Sequence, residues 1–262
     1  AGTSWFFVDP RMNKTLDYLF IDEAGQVALG TTIANATSAK NLILIGDQMQ
    51  LSQPMRAKHE GYARMSSLDF ILENEDTISA SRGIFLNITR RLNNKICNFI
   101  SSSFYDSRLT SDPITKTRSV NLKLDPIKNE GLFYVPIEHS GCSQRSDEEA
   151  DLVEKTYNKI INKEFKVGET AGKISTKDIM VVAPYNAQAN NIRERLKKKF
   201  KDKVRVGTID LFQGQEAKVV LISMTTSDVE SLPRHKDFFF SRNRLNVAIS
   251  RAECVAIIIF NE

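Results

Sequence analysis

Short apolar runs alternate along this chain with longer stretches in which apolar positions recur every three or four residues. That alternation is the pattern of a parallel sheet covered by helices on both faces. The runs DYLFI (17–21), NLILIG (41–46), GIFLNI (83–88), GLFYVPI (131–137), DIMVVAPY (178–185), VRVGTI (204–209), VVLISM (219–224) and CVAIIIF (254–260) are rich in Val, Ile, Leu and Phe. They read as buried parallel strands. Helices are expected over NNKICNFISSSFY (93–105), SDEEADLVEKTYNKIINKE (146–164) and NAQANNIRERLKKKF (186–200). The second opens with Ser146 followed three residues later by Glu149, a helix-start signature. Residues 105–131, which include Pro113 and Pro126, are the poorest in regular pattern and read as a surface excursion. A boundary is expected near Ser81–Gly83, after the helical SSLDFILENE, giving parts 1–81 and 82–262. The first part holds only two clear strands, too few for an independent sheet of usual size.

Composition narrows the class without deciding it. At 262 residues and 41% hydrophobic the chain can bury a large core. Its 36 Lys and Arg against 32 Asp and Glu give a formal charge of +4, which permits contact with nucleic acid without requiring it. Cys97, Cys142 and Cys254 are far apart and in no CxxC pair, so neither a disulfide framework nor a zinc site is indicated. A reducing, cytoplasmic compartment is expected. No apolar run approaches the roughly 18 residues that a membrane span needs.

The chemistry begins at LDYLFIDEAGQ (16–26), where an apolar strand ends in two adjacent acids, Asp22 and Glu23. In P-loop ATPases an acid pair in this position holds Mg2+ through its water shell and polarises the attacking water. Asp22 is assigned to the metal and Glu23 to the water. A DE pair alone is more readily a polar turn, but LILIGDQMQL (42–51) supplies a second strand ending in Gly46-Asp47, with Gln50 just beyond. Gly46 allows close backbone approach, and Gln50 can hydrogen-bond a terminal phosphate or the attacking water. Ligands of open α/β sheets collect at the carboxyl ends of strands, so two such ends make a site.

FIDEAGQ (20–26), LIGDQMQL (44–51), VGTIDLFQGQE (206–216) and RLNVAISRA (244–252) occur in the order and spacing of motifs II, III, V and VI of superfamily 1 helicases. The chain resembles the Upf/Dna2-like branch, over nearly its whole length. The resemblance implies an α/β RecA-like P-loop NTPase architecture, with the end of a first RecA-like domain followed by a complete second one. It implies ATP and Mg2+ as cofactors, single-stranded DNA or RNA as partner, and ATP-driven translocation and unwinding. Carried onto this sequence, Asp22 and Glu23 match the metal and catalytic acids, and Gln50 the glutamine that senses the γ-phosphate. Arg91 and Arg251 match two arginines directed at the γ-phosphate, where a permanent planar cation stabilises developing charge. Glu216 matches a glutamate that hydrogen-bonds the ribose. Thr208 and Gln213 match contacts to the nucleic-acid backbone, Tyr185 and Gln188 a further block of the branch. AGTSW at the start resembles a Thr-containing block in which Thr3 or Ser4 touches nucleic acid.

Two departures stand out. Where the family has an aromatic followed by Arg-Met-His-Pro, this chain has Arg90 to Asn94, RRLNN, so Arg90 would have to stack on adenine through its guanidinium face. The chain also shows no GxxxxGK[ST]. GETAGKI (168–174) is one residue short between its glycines, carries Ile174 where a hydroxyl is needed, and reads as a turn. The phosphate loop and the missing half of the first domain are therefore expected upstream of Ala1, and the 262 residues alone are expected not to hydrolyse ATP. The alternative is a degenerate helicase acting as a nucleic-acid-binding or scaffold module; a nuclease enters only through relatives of the branch, and no nuclease carboxylate cluster is visible. The basic run 193–206 reads as the solvated face of an amphipathic helix, since Ile192, Leu196 and Phe200 recur every four residues. Phe238 to Phe240 are expected in the core, and His59, His139 and His235 as ordinary surface or loop residues.

Overall fold

A computed structural model describes residues 1–51, 61–73, 75–227 and 241–262. His59, His235 and Phe238 to Phe240 lie outside them. The chain divides into two compact units, Ala1–Phe85 and Leu86–Glu262. The division falls four residues beyond the expected 81/82 boundary. Arg82 explains the difference: its guanidinium donates to the Ile71 carbonyl and pairs with Glu75 at 2.6 Å, tying this stretch to the first unit. Of the expected strand 83–88 only Ile88 lies in a strand, opposite Thr110, and 83–87 form none. Ile84 and Leu86 are 86% and 78% exposed, and an extended segment with no neighbouring strand gains nothing from its β-forming residues.

In the first unit, α1 (Ser4–Phe7), β1 (Leu16–Ile21), α2 (Leu29–Ala36), β2 (Ala39–Leu44) and α3 (Ser67–Leu72) follow in order. β1 and β2 pair in parallel, with Leu19 opposite Leu42 and Ile21 opposite Leu44. Leu19 and Ile21 point at Leu68 and Leu72 of α3 in one small core, whose helix is capped by the Ser66 hydroxyl accepting from the Asp69 N–H. The strands are not buried on both faces as expected. Side chains alternate across a strand, and Tyr18 and Phe20, between the core residues, are 59% and 60% exposed.

The second unit contains β3 (Ile88–Thr89), α4 (Asn94–Phe104), β4 (Thr110–Ser111), β5 (Ser119–Val120), β6 (Gly131–Pro136), α5 (Asp147–Ile160), β7 (Glu164–Val167) and β8 (Thr170–Lys173). It continues through β9 (Ile179–Val182), α6 (Asn186–Phe200), β10 (Arg205–Gly207), β11 (Ala217–Ser223), α7 (Arg242–Ser250) and β12 (Ala252–Phe260). Its main sheet has the order β10-β9-β11-β12-β6, and every pair in it is parallel. Alternate strand residues such as Val181, Leu221 and Ile257 pack with Val153, Tyr157, Ile192 and Leu196 of α5 and α6, while α4 and α7 pair with each other and with β12. Val220, Ile222 and Ala256, between them, are buried too. Covered on both faces, these strands become the continuous apolar runs seen in the sequence. The Lys197 to Lys199 face of α6 is exposed while Ile192 and Leu196 are buried.

Two regions differ from expectation. The 105–131 excursion is partly core: Val120 and Leu122 are fully buried, β5 extends the antiparallel hairpin of β7 and β8, and Gly168 makes that hairpin's turn with φ of +62°. His139 lies in the loop after β6, as expected, but not at the surface. Its ring is buried, with Nε2 3.0 Å from Glu149 Oε1 and Nδ1 2.8 Å from the Ser227 hydroxyl. Glu149, in the first turn of α5, also accepts from the Ser223 hydroxyl at 2.5 Å and from the Thr225 N–H at 2.9 Å. Burial pushes its carboxyl above the usual range, and these donors offset the penalty. Thr225 adopts φ of +77°, a costly conformation for a β-branched residue that the carboxylate holds in place. Glu149→Ala should therefore cost about 3 kcal/mol, as usual for breaking a buried charged network, seen as a lower urea midpoint. An unchanged midpoint would mean that the network carries no stability.

Candidate active site

In the first unit the chain leaves β1 through Asp22 and turns at Glu23, whose φ of +54° lies in the left-handed region. The turn is closed locally. Asp22 Oδ1 accepts from the Glu23 N–H at 3.0 Å, and Glu23 Oε2 accepts from the Gln26 side-chain amide at 3.2 Å. It also packs tightly on the end of β2: the Ala24 N–H donates to the Ile45 carbonyl at 2.8 Å. A Cβ on Gly25 would lie 2.7 Å from the Asp47 carbonyl oxygen, and one on Gly46 2.7 Å from the Ala24 nitrogen. Only glycine lets the two strand ends approach so closely. Beyond Gly46, Asp47 accepts from the Met49 N–H at 2.9 Å and from the Gln50 side-chain amide at 3.0 Å. Asp22, Glu23, Asp47 and Gln50 thus share the carboxyl edge of the β1–β2 pair. Thr3 is exposed at the N-cap of α1, where the neighbouring Ser4 hydroxyl accepts from Asn35 of α2.

In the second unit Arg91, Glu216 and Arg251 share one edge, at the amino ends of β11 and β12. Arg91 Nε donates to Glu216 Oε2 at 2.8 Å. Arg251 is 2% exposed; its guanidinium donates to the Val247 carbonyl at 3.1 Å and the Gln215 carbonyl at 3.2 Å. The cation stands at the C-terminus of α7, where free carbonyls and the helix dipole favour positive charge. Arg90 pairs with Asp112 at 3.3 Å and is largely exposed.

Residues not singled out in the sequence hold this edge. Arg118, from the 105–131 excursion, donates to the Arg91 carbonyl and lies 3.7 Å from Glu253. Burial pushes the Glu253 carboxyl up, and Arg118 partly counters it. Arg205 donates to the Glu216 carbonyl at 3.1 Å and to the Gln215 side chain at 3.0 Å. Asn93 is fully buried, accepting from the Lys95 and Ile96 N–H groups at 3.0 Å to cap α4, with its amide donating to the Cys254 carbonyl. The RRLNN departure therefore retains a capped helix directly after Arg91.

Thr208 and Tyr185 lie at the other edge, just past the carboxyl ends of β10 and β9, and Gln213 precedes the Gly214 turn leading back to β11. The structure does not gather these three with Arg91 and Arg251. Gln188 is fully buried: its carbonyl accepts from the Ser146 N–H at 2.9 Å and its amide donates to the Ser223 hydroxyl at 3.0 Å, clamping α6 to α5 and β11.

The family model described as "AAA domain" matches residues 65–262. The chain belongs to the AAA domain family. Two of three curated relatives of this AAA domain are helicases by name. It is 31% identical to DNA polymerase alpha-associated DNA helicase A of Schizosaccharomyces pombe, over 91% of this chain and 36% of that protein. It is 30% identical to Helicase sen1 of the same organism, over 93% of this chain and 14% of that protein. With Regulator of nonsense transcripts 1 of Dictyostelium discoideum it shares 27%, over 97% of this chain and 19% of that protein. The chain spans about a third or less of the length of these relatives. With its four motif blocks and parallel sheets flanked by helices, this AAA domain is of the superfamily 1 helicase type, with the α/β RecA-like fold.

The burial of Arg251 gives it a measurable structural weight. Arg251→Ala removes the donors to the Val247 and Gln215 carbonyls and should cost about 2–3 kcal/mol, read as a lowered urea midpoint. A midpoint within experimental error of the wild type would show that the burial is energetically idle.

Proposed function

We propose that this chain forms part of an ATP-dependent helicase that couples ATP hydrolysis to movement along single-stranded DNA or RNA and to duplex unwinding. Residues 1–81 would serve as the end of a first RecA-like domain and residues 82–262 as a second. The observation that carries the reading is the carboxyl edge of β1 and β2. There Asp22, Glu23 and Gln50 stand together on a glycine-tight crossing, in motif order, in a chain whose relatives are helicases.

The residues fit the cofactors by their chemistry. Mg2+ is held by one or two carboxylates, with phosphate and water completing its octahedron, and the exposed Asp22 at a strand end meets that need. When bound, the metal neutralises charge on the phosphate oxygens. Glu23 orients the attacking water and takes its proton, and Gln50 hydrogen-bonds the terminal phosphate. Arg91 and Arg251 supply fixed positive charge to the transferring phosphoryl group from the second unit. Glu216 faces the ribose, and Arg90 the adenine. Thr208, Gln213, Tyr185 and Thr3 contact the nucleic-acid strand. Closure of the two units around ATP and their release after hydrolysis would shift the grip on that strand.

In the full-length protein Glu23→Gln should lower strand-stimulated ATP turnover by roughly 10²–10⁴-fold, the range for a lost general base, with KM for ATP little changed. The 262 residues alone, without a GxxxxGK[ST] loop, should show no turnover. Full-length protein that binds single strands but hydrolyses no ATP would support the scaffold reading instead.

A further inference from the structure

At the far side of the main sheet of the second unit, Lys95, Lys116, Lys128 and Lys166 line one open cavity of about 670 Å³. They come from four separate segments: the start of α4, the turn before β5, the loop before β6, and β7. All four are exposed. Lys95 pairs with Glu130 at 2.9 Å, and among the described residues Lys116, Lys128 and Lys166 have no carboxylate partner. A second hollow of about 370 Å³ shares Lys95, Lys128 and Glu130 with the first, so the two form one groove. Its walls are aromatic, with Phe99 from α4 and Tyr134 from β6. Tyr134 is 52% exposed although its ring is braced edge-to-face by Phe260, with centroids 6.4 Å apart. A fixed, half-exposed ring beside a row of uncompensated cations is the arrangement that holds unpaired bases and their phosphates.

We propose that this groove is a second binding site for single-stranded nucleic acid, apart from the strand contacts assigned to Tyr185, Thr208 and Gln213. The separation follows from strand order. Those residues follow β9 and β10 at one end of the sheet, and β6 is the strand at the other end. Three to four strand spacings, from β9 or β10 to β6, amount to about 14–19 Å. Lysine is a compact point charge without the fork that reads a base edge, so binding here is to phosphate and ring face and tolerates any sequence. An acidic protein segment would satisfy the lysines but would leave the Tyr134 and Phe99 faces without stacking partners. The proposal does not depend on ATP use, since it concerns binding without nucleotide.

The test is fluorescence anisotropy of labelled dT20 and rU20 with the protein, over a salt series without nucleotide. Combined Lys116→Gln, Lys128→Gln and Lys166→Gln should weaken binding at least tenfold at low salt. Three lost phosphate contacts should also make the log–log salt slope shallower by about 2, at roughly 0.7 per contact on a single strand. Tyr134→Ala should weaken binding at least fivefold, as for a lost stacking face, and Tyr134→Phe should restore it. The lysines are exposed, so the triple variant should keep its thermal midpoint within a degree or two of the wild type, while Tyr134→Phe, which keeps the ring packed on Phe260, separates lost stacking from lost packing. Affinity and slope unchanged in the triple variant would overturn the proposal. So would a poly-glutamate peptide that binds more tightly than either oligonucleotide in a Lys128-dependent way, for the groove would then be a dock for acidic protein.

Discussion

Parallel strand pairing is the constraint on which the placement of most candidate residues depends. When neighbouring strands run the same way, all their carboxyl ends meet at one edge of the sheet and all their amino ends at the other. In the first unit this brings Asp22 and Gln50 together from residues 28 positions apart in sequence. In the second it sorts the candidates into two groups. Tyr185 and Thr208 follow strands, whereas Glu216 and Arg251 precede them. A rule that looks only at carboxyl ends would find the first group and miss the second.

The amino-end group is more structural than its motifs suggest. Arg251 satisfies carbonyls at the end of α7 and in the turn before β11, so its charge is part of how the helix stops and how the β11 turn is held. Arg91 is fixed by Glu216 at its side chain and by Arg118 at its carbonyl. In the proposed mechanism these same guanidinium groups serve the phosphate. Any variant at them therefore changes fold and chemistry together, and only the comparison of stability with turnover separates the two.

Much of the fold was legible because buried parallel strands and amphipathic helices leave strong local patterns. The run IMVV in β9, the long CVAIIIF of β12 and the Ile192-Leu196 spacing of α6 all lie where the apolar pattern puts them. What was not legible rests on long-range pairing. GIFLNI has every local property of a strand and forms none over 83–87, since nothing in its own composition says whether a partner is present. His139 and Glu149 carry no mark of the network that buries them, because their partners Ser223, Thr225 and Ser227 lie more than 70 residues away. Arg118 had a fainter signal. The alternation of Val120, Leu122 and Leu124 after it is that of a half-buried strand, hidden among prolines and lysines. At the candidate site the acids and glycines were legible as motifs, but the tightness of the Gly25–Gly46 crossing arises only from how β1 and β2 pair.

The central claim is that acids in the first unit and arginines in the second act on one ATP molecule. Energy transfer between a donor on the first unit and an acceptor on the second, in the full-length protein carrying Glu23→Gln to slow hydrolysis, tests it most directly. The account predicts that ATP raises transfer efficiency and that ADP does not, with the rise lost when Arg91 is replaced by alanine. Efficiency that is the same with ATP, with ADP and without nucleotide would contradict it.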